Sequence, residues 1–294
     1  MNIKFYYTFL ILLFSVNLIA QKNRSNDLND YNLNGLVKFV KEDSLKVIDR
    51  SDKKTKQELH IKRFYSESRT VSRTFNKEGN ITQSQVFTKY GKPIKILTYE
   101  YHGKLKYKAI DRSLSFNNKI DFWNFKYDEK DNMVETIIGS EDGKKINERA
   151  TFEYDNNKNR IRAKQYRNSS DHPNLFIYYR HDIFDNLREE IVYEEDSTVF
   201  QKHIYTYDNQ KRKIYEEHYT YMGMSEYLSD EITSEYNKNN DVIDELRYDH
   251  MTGNMNRWTF EYVYDEFYNW IEKKEYFEGK LLFINTRKIK YYDE

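Results

Sequence analysis

The chain has 294 residues, with 48 basic and 48 acidic side chains and no cysteine. This charge balance gives no electrostatic reason to expect nucleic acid, and the lack of cysteine excludes disulfides and lipid attachment at a cysteine. Aromatic residues make up 17% of the chain and charged residues 33%, a composition too aromatic for disorder and too charged for a thick apolar core.

Residues 1–20 predict a secretory signal peptide. Lys4 supplies the positive start, an apolar stretch of about fifteen residues follows, and the small residue Ala20 precedes Gln21. The alternative is an uncleaved anchor, but a spanning helix needs about 20 apolar residues. We therefore expect export to the periplasm, the cell surface or the extracellular space. Residues 21–33 are interpreted as a linker or short entry segment, in which Asp27 to Leu33 predict one helical turn.

Residues 34–294 contain one repeated pattern. An aromatic residue followed by Asp or Asn, most often Tyr-Asp and once degenerate as Tyr101-His102, recurs at intervals of 26 to 29 residues. We call the first residue of each pair the anchor. The anchors are Phe75, Tyr101, Tyr127, Tyr154, His181, Tyr207, Tyr236 and Tyr264. A second aromatic usually lies two residues earlier, which is typical of a strand, and the Asp or Asn after the anchor favours a capped turn.

A second turn signal about thirteen residues after each anchor makes every repeat a hairpin. The sequence therefore predicts an all-β fold, an antiparallel meander of about nine β-hairpin repeats forming one elongated, twisted or curled sheet with minimal helix. Lysines flank the last predicted strand, Lys288 to Tyr291, as expected for a charge-protected sheet edge. Charges interleave with apolar residues on both strand faces, as in Asp241 to Tyr248, which argues against transmembrane insertion as a barrel.

Aromatic residues two positions before the anchors are the candidate ligand contacts. If the repeats stack in register, these side chains form a row on one face of the sheet, where they could stack sugar rings or dock a protein. The alternative is structural, because cross-strand aromatic pairs also stabilise a thin sheet. The candidate residues are Tyr99, Phe125, Phe152, Tyr179, Tyr205 and Tyr262.

Other chemistry is weakly indicated. His203 and His218 should face each other across a hairpin and could share a metal or form a pH-sensitive pair, yet no third ligand is visible. Close carboxylates such as Glu189-Glu190 are expected by chance in so acidic a chain. The Asp-Asn turns lack the ligand spacing of a calcium loop. With no phosphate loop, serine elbow or cysteine nucleophile, we predict no enzyme activity, no catalytic or metal site and no cofactor.

The repeat lattice resembles the YD-repeat (RHS-repeat) family, and in particular its small exported members from Bacteroidota. The resemblance covers roughly residues 33–294 and is strongest in the entry segment Leu33 to Glu42 and the final repeat, Tyr262 to Tyr292. The family usually has Gly four residues after the anchor, where this chain has only Gly79. The large members enclose a toxin, a property that a chain of this length does not share. The resemblance implies stacked β-hairpins, export, and binding of carbohydrate or another surface ligand.

These observations favour an exported, non-enzymatic binding module. Its ligand would be a cell-surface carbohydrate polymer or an envelope protein partner. One alternative is a structural or assembly component of the cell envelope or of a secretion system, and a further one is a polysaccharide hydrolase. A binding module predicts an exposed aromatic strip on a concave face, whereas a hydrolase predicts convergent carboxylates in a cleft and a scaffold predicts neither.

Overall fold

The protein is described here by a computed structural model covering residues 26–47, 70–114, 118–195, 197–223 and 225–293. The predicted signal peptide lies outside these residues. Within them, one 3-10 helix, Asp27–Tyr31, precedes eighteen strands, and no helix is long and apolar enough to span a membrane. The strands are β1 Val37–Lys46, β2 Thr70–Phe75, β3 Ile81–Phe87, β4 Pro93–His102, β5 Leu105–Ser113, β6 Ile120–Tyr127, β7 Met133–Gly139, β8 Ile146–Tyr154, β9 Arg160–Arg167, β10 Leu175–His181, β11 Leu187–Glu194, β12 Val199–Tyr207, β13 Lys213–Met222, β14 Ser225–Tyr236, β15 Val242–Asp249, β16 Asn254–Tyr264, β17 Trp270–Phe277 and β18 Lys280–Tyr291.

The sheet is closed. Each strand pairs antiparallel with the next, and β1 pairs with both β18 and β2, so the meander becomes an 18-stranded barrel. The all-β meander of hairpins is as predicted, but the prediction of an open elongated sheet is wrong. The last strand is not an edge either, since Lys288 pairs with Lys41 of β1. Barrel closure removes the edges that the flanking lysines were expected to protect.

A β-bulge at every anchor explains why the sheet curls far enough to close. The pairing register shifts at all eight anchors, because the following strand has one extra residue opposite the anchor. A bulge bends its strand and increases the local twist, and bulges repeated at one level around a sheet drive its closure. The anchor spacing was visible in the sequence, but the extra residue opposite each anchor was not.

The turn after every anchor except Tyr101, which His102 follows, is built by the Asp or Asn next in the chain. In the turn after Tyr154, the Asp155 carboxylate accepts hydrogen bonds from the backbone N–H groups of Asn157 (2.9 Å) and Asn159 (2.8 Å) and from the Asn159 side chain (3.0 Å). Lys158 adopts a left-handed backbone conformation with φ of 65°. These contacts confirm the predicted turn capping. They also show that non-glycine residues occupy the position where the resembling family has Gly.

Alternate residues of the strands divide into an inner and an outer face. The buried apolar strand residues, among them Phe75, Ala109 and Phe152, share one face of the sheet. Exposed apolar residues such as Tyr178 and Val263 lie on the opposite face. Because side chains converge on the concave side of a closed sheet, the buried face is the inner wall of the barrel.

The segment before β1 lies across the anchor-turn end of the barrel. Its 3-10 helix confirms the predicted helical turn, and Leu28 and Leu33 pack with Val40 and Phe75 in a buried cluster. Asp27 accepts hydrogen bonds from the Ile81 backbone and the Tyr101 hydroxyl. The side chain of Asn32 donates to Asp241 across the closing strands. Residues 26–33 therefore bridge repeats on both sides of the seam.

Removal of residues 264–294 should cause aggregation, because it deletes β17 and β18 and leaves β1 and β16 with unpaired edges. The measurement is light scattering and circular dichroism of the truncated mature protein. A soluble monomer with an unchanged β-sheet spectrum would contradict the dependence of the fold on closure.

Replacing Asn269 with Ala should lower the free energy of unfolding by about 2–3 kcal/mol, since buried polar groups lose their partners. The fully buried Asn269 side chain donates to the Asn34 carbonyl (2.9 Å) and the Tyr291 hydroxyl (2.7 Å) and accepts from the Asn34 N–H (2.7 Å). Urea unfolding measures the loss. The exposed Asn156 in an equivalent turn is the matched control, and its change to Ala should cost a few tenths of a kcal/mol.

Candidate functional site

The six predicted ligand-contact aromatics all lie on the inner wall, two residues before an anchor. Phe152 is buried, and Phe125 and Tyr179 pack against its cluster. Tyr99 packs against the cluster formed by the N-terminal segment. The Tyr262 hydroxyl donates to the Val242 carbonyl at 2.8 Å. Several of these rings are thus packed against other side chains of the inner wall, and none of the six lies on the outer surface.

The anchor tyrosines link neighbouring repeats. The hydroxyl of Tyr154 donates to the carbonyl of Met133 at 2.8 Å, and that of Tyr236 donates to the carbonyl of Lys213 at 2.7 Å. In both cases the acceptor lies on the first inner position of the preceding repeat. This hydrogen bond gives the anchor position a structural role, so the Tyr-Asp motif itself is not the best candidate for ligand contact.

A row of polar side chains crosses the inner wall from β10 to β14. Successive register pairs join Tyr179 to Glu190, Glu190 to His203, His203 to His218, and His218 to Asp230. We call these five residues the His203 row. The rings of His203 and His218 stack with centroids 4.4 Å apart, which confirms the prediction that they face each other. Sequence reasoning missed Glu190 and Asp230.

Tyr205 and Glu216 form the next pair of the inner wall on the anchor side of the row. Glu216 lies 2.8 Å from the Lys213 ammonium and 3.3 Å from His218 Nε2. Lys213 also lies over the Tyr205 ring, 4.7 Å from its centroid. On the other side of the row, Gln201 pairs with Thr220. Opposite charges therefore surround the row in nearly equal number.

Burial changes the protonation of the row. Desolvation, with a smaller effect of His218, lowers the pKa of His203 to about 4, so its imidazole is neutral at pH 7. Desolvation likewise raises the pKa of the Glu190 carboxyl. Burial opposes ionisation of Glu216 as well, yet the hydrogen bond from His218 and the charge of Lys213 lower its pKa overall. The pKa values of Glu190 and Glu216, which lie on the same wall, are thus shifted in opposite directions.

Two polar atoms of this wall have no partner in the described part of the chain. The buried His203 Nε2 and Thr220 Oγ1 make no hydrogen bond, and the half-buried Glu190 and Tyr205 lie beside them on the same wall. A buried polar group without a partner costs about 1–3 kcal/mol. Two such groups on the adjacent strands β12 and β13, beside Glu190 and Tyr205, are therefore a candidate binding site.

The other candidates from the sequence do not gather into a site. Glu189 and Glu190 point to opposite faces, and Glu189 pairs with Arg180 outside the barrel at 2.8 Å. The described residues contain no group of three or more His, Cys, Asp or Glu side chains suited to hold a metal ion. The alternation of side chains between the two faces of a strand would have placed Glu190 on the inner face. Its position beside His203 depends on the register between β11 and β12, which the sequence does not reveal.

No family model matches the sequence, and no curated protein does. Among solved structures, the chain is similar to a porin-like protein from Bacteroides uniformis (10% identity, TM-score 0.43), over 88% of this chain and 99% of that one. It is also similar to a chain of the TcdB2-TccC3-Cdc42 complex (10% identity, TM-score 0.36), over 82% of this chain and 14% of that one. A porin-like protein from Bacteroides vulgatus aligns over 89% of this chain and all of that one, with 10% identity and a TM-score of 0.27. Similarities this remote leave the function to be argued from the residues.

Stability should fall with acid through His203. Because the pKa of folded His203 is about 4 against 6.5 for the unfolded residue, the unfolded chain takes up the proton first. The contribution is complete above pH 6.5 and is lost as the pH falls toward 4, by about 3 kcal/mol at most. Urea unfolding of the His203→Gln variant from pH 7 to 4 should show a correspondingly smaller loss than the wild type.

His172 supplies the control for this measurement, because it lies exposed in the loop between β9 and β10. The His172→Gln variant should keep the wild-type pH dependence. Equal pH dependence in the His203→Gln variant and the wild type would show that His203 is not held neutral by the barrel.

Proposed function

We propose that this protein is an exported, non-enzymatic binding protein that holds a carbohydrate against the inner wall of its barrel. The observation that carries the proposal is the pair of buried, unpartnered atoms His203 Nε2 and Thr220 Oγ1, which lie beside Glu190 and Tyr205 on the inner wall. A ligand that formed hydrogen bonds with these atoms would offset the free-energy cost of leaving them without partners.

The chemistry of the wall favours a neutral, hydroxyl-rich ligand. Glu190 accepts hydrogen bonds, the Tyr205 and Thr220 hydroxyls donate and accept, and neutral His203 does either according to its tautomer. Sugar hydroxyls have the same dual capacity. The negative charges of Glu190 and Glu216 are opposed by Lys213 and by Arg160, whose charges act on Glu190. This near balance gives neither an anion nor a cation an advantage.

The barrel has room for such a ligand. Eighteen strands spaced about 4.8 Å apart give a circumference of roughly 86 Å, and a circle of that size is roughly 27 Å across. Barrels of this strand number are too wide for side chains to fill. Since residues 26–33 lie across the anchor-turn end, we propose that the ligand enters from the opposite end.

The charged outer face supports a barrel that is surrounded by water and not by lipid. Ion pairs join its strands at several levels, including Lys126–Glu135 at 2.6 Å, Arg180–Glu189 at 2.8 Å and Arg257–Asp244 at 2.5 Å. A barrel inserted in a bilayer needs an outer band of apolar side chains. We therefore propose an envelope or secreted protein whose mature chain does not insert in a membrane, built from YD-like repeats.

The test is carbohydrate binding by the mature protein. A glycan array, followed by calorimetry with neutral oligosaccharides from the positive classes, should find a ligand. Glu190→Gln and Tyr205→Phe should each weaken binding at least tenfold, equivalent to about 1.4 kcal/mol, because the first replaces an acceptor oxygen with an amide donor and the second removes a hydroxyl. No reducing sugar should be released.

Tyr215 and Glu217 are matched controls, because they lie on the outer face of β13. Tyr215→Phe and Glu217→Gln should bind like the wild type. The proposal fails if the protein binds no glycan, or if the inner and outer variants bind equally well. Release of reducing sugar that Glu190→Gln abolishes would overturn the non-enzymatic assignment.

A further inference from the structure

A groove of about 480 Å³ lies on the outer face of β9 to β11. Its lining combines aromatic and aliphatic side chains with polar groups, and Phe176 and Tyr193 form a cross-strand pair at the end away from the anchors. Tyr178 packs edge-on against Tyr193 with ring centroids 5.5 Å apart, and 40% of Tyr178 is exposed. Ile161, Arg180, Ile191 and Ser197 complete the lining, and the groove also borders Tyr179, whose ring belongs to the inner wall.

An exposed apolar turn stands at the anchor end of the same strands. Ile183 and Phe184, in the turn between β10 and β11, are 91% and 63% exposed. The same two positions of the neighbouring turns hold polar residues, Asn156-Asn157 and Asn209-Gln210. We call Ile183 and Phe184 the knob. Two large apolar side chains so exposed are unfavourable in water, and they are typical of a contact surface.

The knob is held in a fixed position. The Asp185 carboxylate accepts hydrogen bonds from Asn157 (3.3 Å) and Asn159 (2.7 Å) of the preceding turn. From the following turn, the Lys211 ammonium donates to the Phe184 carbonyl at 3.0 Å. Both neighbouring turns thus brace the knob before any partner arrives, which lowers the entropy lost on binding.

We propose that the groove receives the knob of a second copy of this chain, so that two copies pair about a two-fold axis. The knob and the groove lie on the same strands, and a two-fold interface requires one self-complementary patch. If the axis passes near the middle of the groove, the knob of each copy meets the Tyr193–Ser197 end of the other groove. Both contacts then form together.

The charges beside the groove are also self-complementary. Arg180 pairs with Glu189, and Arg162 pairs with Glu153, on the outer face of one copy. A two-fold rotation brings such a mixed set against itself, so each guanidinium can meet a carboxylate of the other copy. A strongly charged partner would gain nothing from this balance, whereas an apolar turn of matching chemistry is present in the chain itself.

The experiment is sedimentation velocity with light scattering on the mature protein at 1–100 μM. The wild type should have twice the mass of one chain at the upper concentrations. The double variant Ile183→Asp, Phe184→Asp should weaken association at least a hundredfold. Its matched control places the same charges at the same positions of the next turn, Asn209→Asp and Gln210→Asp, and should remain a dimer.

A mixing experiment distinguishes association through the knob and the groove from non-specific association. The groove variant Tyr178→Ala, Tyr193→Ala should be a monomer alone, like the knob variant. An equimolar mixture of the two retains one intact knob and one intact groove, so heterodimers should form at least tenfold more tightly than either variant self-associates. A monomeric wild type, a dimer that survives the knob substitutions, or a mixture without heterodimers would each overturn the proposal.

Discussion

The anchor turn is the constraint on which the rest of the structure depends. After every anchor except Tyr101 an Asp or Asn caps the turn, the bulge at the anchor bends the strand, and an anchor hydroxyl such as that of Tyr154 bonds to the preceding repeat. Each device is weak alone, since a hydrogen bond contributes about 1 kcal/mol. Repeated at one level around eighteen strands, they impose the same curvature on every hairpin. The sheet then closes when β1 reaches both β18 and β2.

Closure gives the two strand faces different chemistry. Outside, charged pairs such as Lys126–Glu135 meet water and contribute little, as exposed ion pairs do. Inside, the same residue types lose water, and the pKa of His203 falls while that of Glu190 rises. An open sheet would leave both faces equally solvated. The candidate site is therefore a consequence of the barrel and not of any single motif.

The sequence predicted the strands, their hairpin order and the turn capping, because each depends on residues close in the chain. Closure was missed, since it depends on the bulge opposite each anchor and on pairing between β1 and β18, more than two hundred residues apart. The facing pair His203 and His218 was predicted because one hairpin contains both. Glu190 was not, because it meets His203 through the separate pairing of β11 with β12. Features set by residues close in the chain could be predicted from the sequence, whereas the register between separate hairpins could not.

β10 and β11 show how one pair of strands can serve two surfaces. Tyr179 and Glu190 face the inner wall, whereas their neighbours Tyr178 and Glu189 lie on the outer face. A register slip of one residue would exchange the two sets. The braced turn between these strands opposes that slip, because Asp185 and Lys211 tie it to the turns on either side. The same contacts that present the knob thus keep Glu190 beside His203, so the outer contact surface and the inner site depend on one rigid turn.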